Sequence, residues 1–315
     1  MLEKLNINKS IIFLTLFLMV IPFLFQNDFH FEIAILSLLN AIICLGLNLL
    51  MGFAGQVSLG HGAFAGLGAY ISVILTTNYE VQPLLSILIS VIFMAIFAYI
   101  ISRPILKLKG HYLAMATLGV GIIIHIVLNT ESNLTGGPDG MGVDSLTIFG
   151  YELIESIHWY ILCAILLVFF VWVFENIINS PFGRILRSIH DSEKAASTVG
   201  ANVAYYKSYV FTISVVVATI AGSLYAFFSG FISPSEASFT HSIELVVMVV
   251  FGGLGRVYGA VFGAIIITVI PQLLASLEEY ETLVFGIIII FVMIFMPKGI
   301  VSLFDNFYSK RAKNA

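Results

Sequence analysis

Residues 48–70 read Asn48-Leu-Leu-Met-Gly52-Phe-Ala-Gly55-Gln56-Val-Ser58-Leu-Gly60-His61-Gly62-Ala-Phe-Ala-Gly66-Leu-Gly68-Ala-Tyr70, an apolar stretch that contains six glycines. Gly62 and Gly66 have the four-residue spacing of small residues that lets two membrane helices approach closely. The glycines at 52, 55 and 60 instead predict unwound backbone, which a membrane tolerates only where it is buried or lines a cavity. The stretch is typical of a membrane protein with an interrupted helix.

The composition of the whole chain agrees with this interpretation. The chain has 315 residues, of which 59% are hydrophobic and 10% are charged, and its mean hydropathy is +1.04. Soluble domains have roughly 25% charged residues, so the composition argues against a water-soluble enzyme. The net charge of −4 leaves no basic excess for nucleic acid. The two cysteines, Cys44 and Cys163, lie far apart in apolar runs, and we predict no disulfide framework, metal site or cofactor.

Apolar runs long enough to cross a bilayer fill most of the chain. A spanning helix needs roughly 20 mostly apolar residues. The runs lie near residues 11–26, 33–51, 62–77, 83–101, 112–128, 158–175, 208–230, 243–255, 259–276 and 282–297. They predict an all-α integral membrane protein of about ten transmembrane helices, some of them broken or shortened by glycine. No separate soluble domain remains, so residues 1–315 form one membrane-spanning domain.

The distribution of charge predicts the orientation of this domain. Basic residues near a span resist translocation and therefore mark cytoplasmic loops. With a cytoplasmic N-terminus and ten spans, all fourteen lysines and arginines fall inside, while the outside segments hold twelve carboxylates and no basic residue. Both termini are then cytoplasmic, residues 176–206 form a cytoplasmic loop and residues 129–157 form an extracytoplasmic loop.

The predicted spans lack the side chains that would couple transport to an ion gradient or to ATP within this chain. His125 is the single titratable side chain in the interior of a predicted span. Ion-coupled carriers usually have a charged side chain within the membrane that binds the coupling ion or proton. The stretch from Gly55 to Gly62 resembles a phosphate-binding loop, but His61 and Gly62 occupy the places of the required Lys and Ser or Thr. We therefore expect a transport subunit without an ATPase site, driven by another subunit.

A second glycine-rich segment echoes the first. The pairs Gly52/Gly55 and Gly252/Gly255 share a three-residue spacing, and glycine-interrupted segments in both halves of a chain indicate an internal repeat around a binding site. Tight helix packing remains the alternative explanation of these glycines. The candidates for lining a translocation path are Gly52, Gly55, Gln56, Ser58, Gly60, His61, Gly252, Gly253 and Gly255.

The predicted cytoplasmic loop carries signals for two short helices. Ser180-Pro181 is a favourable helix start, with serine at the N-cap and proline at the first helical position. The following run to Ala196 can form amphipathic helices with basic residues, and Gly200 ends the second one. This pattern favours a docking element for a cytoplasmic partner, although a solvated connector would have similar features.

Several stretches together resemble the LivM-type permease family of branched-chain amino-acid ABC importers. They are Gly52-Phe-Ala-Gly-Gln-Val-Ser-Leu-Gly-His-Gly-Ala-Phe, Lys109-Gly-His-Tyr-Leu-Ala-Met-Ala-Thr-Leu118, Leu134-Thr-Gly-Gly-Pro-Asp-Gly140, Gly183-Arg through Gly200, and Ser242-Ile-Glu-Leu-Val-Val-Met-Val-Val-Phe-Gly-Gly-Leu-Gly255. They follow the family's order over roughly residues 35–300. The resemblance implies that segment 183–200 couples to the ATPase, with Arg184, Arg187, Glu193, Ala195, Ala196 and Gly200 as candidates.

The resemblance also implies an architecture and a set of partners. The fold would be the type II, vitamin-importer-like ABC permease in the bacterial plasma membrane. The partners would be a homologous second permease, two cytoplasmic ATP-binding subunits and an extracytoplasmic substrate-binding protein, and the cargo would be leucine, isoleucine or valine. One position departs from the family, which often has a Glu and Arg pair where this chain has Ile122 and His125. We expect His125 to be a hydrogen-bonded packing residue.

Three alternatives remain open from the sequence. A permease for urea or short-chain amides would share nearly all of these motifs. A channel or facilitator that works alone would transport without ATPase subunits. A membrane-embedded enzyme would need a convergent catalytic set within the spans, but the seven histidines are dispersed and the carboxylates lie mostly in loops.

Overall fold

The computed structural model describes residues 9–25, 27–108, 110–148 and 150–274, together with residues 286, 287 and 290. Within these residues the α-helices are α1 (Lys9–Leu24), α2 (Asp28–Asn48), α3 (His61–Thr77), α4 (Pro83–Ile105), α5 (His111–Thr130), α6 (Ser132–Thr135), α7 (Ser156–Asn179), α8 (Pro181–Asp191), α9 (Glu193–Thr198), α10 (Val203–Ser229), α11 (Phe239–Gly252) and α12 (Val257–Leu274). A π-helix, Leu49–Phe53, continues α2 directly, and the 3₁₀ segments are Gly137–Asp139 and Pro234–Ala237.

Among the residues that the structure describes, five helical segments are long and apolar enough to cross a membrane. They are Asp28–Phe53, Pro83–Ile105, His111–Thr130, Ser156–Asn179 and Val203–Ser229, and four shorter apolar helices accompany them at Ser10–Phe23, His61–Thr77, Phe239–Gly252 and Val257–Gln272. Nine predicted apolar runs thus coincide with helices, and the chain is an all-α, multi-pass membrane protein. The tenth run, 282–297, lies outside the described residues except for 286, 287 and 290. The number of ten crossings and the side of the termini stay predictions.

Small residues and hydroxyl groups hold the centre of the bundle together. Helices α3 and α10 approach so closely that a Cβ at Gly222 would overlap the backbone carbonyl of Ala65. Nearby, the Ser72 and Ser223 hydroxyl oxygens lie 2.6 Å apart, and Ser90 of α4 donates a hydrogen bond to the Gly68 carbonyl at 2.6 Å. Membrane helices gain little hydrophobic attraction for one another, so close packing and interhelical hydrogen bonds stabilise their association.

The connections between helices gather at two ends of the bundle. At one end, strand β1 (Met141–Gly142) pairs antiparallel with β4 (Phe231–Ile232), which joins the α5–α7 loop to the α10–α11 connection. In the same loop β2 (Thr147–Ile148) pairs with β3 (Tyr151–Glu152). These two-residue strands add local pairings to a helical fold, and the sequence pattern did not predict them.

Helices α7 and α10 extend beyond their apolar runs, which shortens the predicted loops. The connection predicted at 176–206 consists of residues 180–202, because α7 continues to Asn179 and α10 begins at Val203. The loop predicted at 129–157 is likewise shortened, since α5 ends at Thr130 and α7 begins at Ser156. Helical hydrogen bonding does not stop where apolar side chains stop, so hydropathy alone misplaces such boundaries by a few residues.

Candidate functional site

The first glycine-rich stretch contains the predicted interruption of the helix. The π-turn Leu49–Phe53 widens the end of α2, residues 54–60 are not helical, and α3 begins at His61. Gly55 has a φ of +66°, a left-handed conformation that favours glycine. The backbone nitrogen of Gln56 donates to the Leu50 carbonyl at 3.0 Å and so closes the widened turn. Single π-turns of this kind occur frequently at functional sites.

His61 organises a buried hydrogen-bond network at the start of α3. Its side chain is fully buried, with Nδ1 at 2.9 Å from Ser58 Oγ and Nε2 at 2.6 Å from Ser214 Oγ. A neutral imidazole has one donor and one acceptor nitrogen, and serine hydroxyls can act in either sense, so a neutral ring satisfies both contacts. The network therefore ties the non-helical segment to α10.

Gln56 is the unsatisfied polar group of this segment. The residue is 1% exposed, and neither Oε1 nor Nε2 of its side chain has a hydrogen-bond partner in the described part of the chain. An unpaired buried amide costs free energy, so such groups are rare unless they serve a function or meet a further ligand. Among the predicted path residues, Gln56 thus presents donors and an acceptor without protein partners.

The second glycine-rich segment forms a sharp connection between α11 and α12. Helix α11 ends at Gly252, and Gly253 and Gly255 have φ values of +111° and +75°. A Cβ at Gly252 would overlap the Gly259 carbonyl of α12. Glycine is required here both for the backbone conformation and for the close approach of the two helices. The predicted short span is a helix of 14 residues.

Asn48 connects the two glycine-rich segments. Its side-chain Oδ1 accepts a hydrogen bond from the Gly255 backbone nitrogen at 2.9 Å, and its Nδ2 donates to the Arg256 carbonyl at 2.9 Å. A Cβ at Gly52 would lie 2.8 Å from the Gly255 Cα. The segments that share glycine spacing therefore touch. Asn48 was not among the predicted site residues, although an amide side chain within a long apolar run is a signal that the sequence offers. The structure shows that this side chain is buried.

Helix α8 is an amphipathic helix that lies against the end of the bundle. The Ser180 hydroxyl accepts from the Gly183 backbone nitrogen at 3.4 Å, as the predicted N-cap requires. Gly183, Leu186 and Ile189 are buried, whereas Arg184 and Arg187 are exposed. The three-residue spacing of the buried positions gives α8 one packed face and one exposed basic face.

Helix α9 is held to α10 by an ion pair. Ser192 accepts from the Ala195 backbone nitrogen at 3.3 Å, and the helix buries Ala196 but exposes Ala195. Glu193 pairs with Lys207, which is only 4% exposed. Gly200 follows with a φ of +91°, a conformation that suits a glycine after a helix.

Helix α8 contacts the interrupted segment directly. His190 Cδ2 is 3.0 Å from the position that a Cβ at Gly55 would occupy. The Arg187 guanidinium lies 5.9 Å from the centre of the Phe53 ring, within cation–π range. The predicted coupling segment 183–200 and the first glycine-rich stretch, although far apart in sequence, thus meet at Phe53 and Gly55.

His125 forms a hydrogen bond as predicted. Its Nδ1 lies 2.9 Å from the Pro234 carbonyl, and since a carbonyl can only accept, this nitrogen carries the proton. The contact joins α5 to the segment that follows α10. The predicted hydrogen bond is therefore confirmed at this residue, which departs from the family pattern.

Replacing His61 by alanine should destabilise the protein. The change leaves the buried Ser58 and Ser214 hydroxyls without their partner, a loss of roughly 1–3 kcal/mol for each group left unsatisfied. We expect a lower midpoint of thermal unfolding for the detergent-solubilised protein. His111→Ala is the matched control, because His111 also begins a helix but is exposed. Equal midpoints for the two variants would contradict a stabilising network at His61.

Interrupted apolar helices packed into a bundle define the class of this protein as a multi-pass membrane protein. The family described as branched-chain amino acid transport system / permease component matches residues 29–293. The chain therefore belongs to this family, and the LivM-type resemblance is confirmed.

The relatives include both kinds of permease named for these systems. The high-affinity branched-chain amino acid transport system permease protein LivM of Escherichia coli (strain K12) is 30% identical over 293 residues, which cover 85% of this chain and 69% of the relative. A probable LivM of Methanocaldococcus jannaschii is 22% identical, covering 82% of this chain and 89% of the relative. The LivH permease of Escherichia coli (strain K12) is also 22% identical, covering 82% and 90%. No solved structure matches the chain.

Proposed function

We propose that this chain is the transmembrane permease subunit of an ATP-binding-cassette importer that moves leucine, isoleucine and valine into the cell. The observation that carries the proposal is the family match over residues 29–293. The relatives named LivM and LivH, which are permeases for branched-chain amino acids, support the same cargo. The chain contributes the moving helices, and separate ATPase subunits supply the energy.

The coupling element consists of α8 and α9. Their exposed side carries Arg184 and Ala195, and Val199, which directly follows α9, is 86% exposed. We assign this exposed surface of basic and apolar side chains to the contact with a cytoplasmic ATPase subunit. Movement of α8 would reach the membrane segment through the contacts of Arg187 with Phe53 and of His190 with Gly55.

The two touching glycine-rich segments form the moving part of the path. Non-helical backbone such as residues 54–60 and 253–256 can change conformation with fewer lost hydrogen bonds than a regular helix. Asn48 links the two segments, so a shift of one is transmitted to the other. In this mechanism the helices around them alternate between outward and inward openings as ATP binds and is hydrolysed.

The charges and the grouping of the loops support the proposed orientation. Helix α8 contacts residues 53–55, and Gly52 contacts Gly255. These contacts bring together loops that the charge pattern assigns to the cytoplasm. The pairing of β1 with β4 joins two loops that the same pattern assigns to the outside. In a bacterial plasma membrane, the external binding protein would then deliver its ligand at the β1–β4 end. A second permease of the family and two ATPases complete the assembly.

Reconstitution tests this function directly. Proteoliposomes that contain the chain, its partner permease, the two ATPases and the external binding protein should accumulate radiolabelled leucine when ATP is present. The chain alone should not accumulate leucine. Accumulation against a gradient by the chain alone would contradict the proposal, and a complete assembly that transports urea or short amides instead of leucine would contradict the assigned cargo.

A further inference from the structure

A cavity of about 190 Å³ lies within the bundle, and none of the non-helical residues 54–60 and 253–256 lines it. Leu36, Leu39 and Ile43 of α2 form one apolar wall, and Gly66 and Gly222 lie on the helices opposite. The volume corresponds to about six water molecules at ~30 Å³ each, which is the scale of a small metabolite. The small residues of α3 and α10 leave this space because they carry little or no side chain.

Polar side chains approach the same cavity from the other helices. Glu236 precedes α11, and one of its carboxylate oxygens, Oε1, accepts a hydrogen bond from the Tyr225 hydroxyl at 3.0 Å. Asn40 of α2 donates to Thr268 Oγ1 of α12 at 3.1 Å. His241 also lines the cavity, and its Nδ1 lies 3.7 Å from Glu244. The cavity thus has an apolar wall and a polar side with one carboxylate.

Glu236 is a partly buried carboxylate on the wall of this cavity. Within the described ranges it forms no ion pair with a lysine or arginine. A carboxylate removed from water requires a cation or several hydrogen-bond donors, and its two oxygens can accept about four hydrogen bonds, of which Tyr225 supplies one. The remaining acceptor capacity matches the three donors of a primary ammonium group.

The cavity also borders the interrupted helix. His241 Cδ2 lies 3.0 Å from the position of a Cβ at Gly62, and the Gly62 backbone nitrogen donates to Ser242 Oγ at 3.1 Å. Gly62 belongs to the first turn of α3, directly after the non-helical segment. A ligand that contacts His241 would therefore lie beside the part of the bundle that connects to α8.

We propose that this cavity binds an aliphatic α-amino acid in transit, with the ammonium group at Glu236 and the side chain against Leu36, Leu39 and Ile43. The proposal rests on the proposed transport function and adds a recognition site within this chain. Apolar burial provides affinity for the aliphatic group, and the carboxylate discriminates against ligands that lack a positive charge. Thr268, Asn40 and His241 offer hydrogen bonds to the ligand's own carboxylate.

The first test is uptake of radiolabelled L-leucine by the complete transporter in proteoliposomes. Glu236→Gln keeps the side-chain size but removes the charge, and we expect leucine uptake to fall by about tenfold or more. ATPase activity stimulated by the binding protein should remain. Glu32→Gln is the matched control, because Glu32 is an exposed carboxylate one turn before Leu36 on the same helix. It should transport at the unmodified rate.

A second test does not depend on the folding of the charge variant. Leu36→Cys places a thiol on the cavity wall, while the native Cys44 and Cys163 are fully buried. L-leucine should slow the reaction of this thiol with N-ethylmaleimide in the complete transporter, whereas 4-methylpentanoate, which lacks the ammonium group, should not.

The outcomes separate this site from the proposed function. Normal uptake by Glu236→Gln, or labelling that leucine does not slow, would overturn the site while leucine transport by the unmodified assembly stands. Failure of the unmodified assembly to transport leucine would overturn the proposed function, and this site with it.

Discussion

Replacing Gly52 by alanine is expected to reduce leucine uptake to background. A Cβ at this position would overlap the Gly255 backbone nitrogen and lie 2.8 Å from the Gly255 Cα and 2.5 Å from Asn48 Oδ1. Two of these three atoms are backbone, so the neighbours cannot rotate away and the two glycine-rich segments must separate. Overpacking of this kind costs about 1–3 kcal/mol. Uptake of radiolabelled leucine, normalised to the amount of protein in the membrane, measures the effect.

Gly119→Ala provides the matched control. Gly119 lies inside α5, and a Cβ there would meet no heavy atom within 4 Å. Alanine also favours helix over glycine by about 1 kcal/mol, so this variant should fold and transport normally. If Gly52→Ala transported at the rate of Gly119→Ala, the close contact between residues 52 and 255 would not be needed for transport.

Replacing Glu193 by alanine is expected to abolish uptake by disrupting the docking of α9 on α10. Lys207 is 4% exposed, and the substitution removes the carboxylate that pairs with it. Removing one partner of a fully buried ion pair costs about 3–5 kcal/mol, because the remaining charge stays buried without compensation. The Glu193 side chain is 30% exposed, so we expect a smaller loss of stability here. The variant should lose leucine uptake in the complete transporter and should unfold at lower temperature.

Two further variants separate the ion pair from a general effect of charge. Asp191→Ala removes a nearby carboxylate whose side chain is 85% exposed, and it should change stability little. The double variant Glu193→Met with Lys207→Met removes both charges and should regain much of the lost stability, because no unpaired charge remains. If the stability losses of the single variants Glu193→Met and Lys207→Met simply added in the double variant, the ion pair would not be the cause of the loss.

Much of the candidate site was accessible from local signals. Ser180 and Gly200 correctly bounded the two short helices α8 and α9, because capping depends on residues close in sequence. The glycines at 55 and 60 correctly predicted non-helical backbone, whereas Gly52 lies within the π-helix that precedes this segment. The roles of Asn48 and Lys207 were not predicted, since a polar residue in a helix does not reveal which distant group it contacts.

The pattern of apolar runs, glycines and basic residues is sufficient to establish a helical multi-pass membrane protein and the positions of its interruptions. This follows because a membrane requires each helix to satisfy its own backbone hydrogen bonds over a fixed length, which is a local condition. The meeting of Gly52 with Gly255, the contact of α8 with Phe53 and the cavity beside Glu236 emerged only from the folded bundle. They depend on which helix faces pack together, and residues about two hundred positions apart become neighbours through that packing alone.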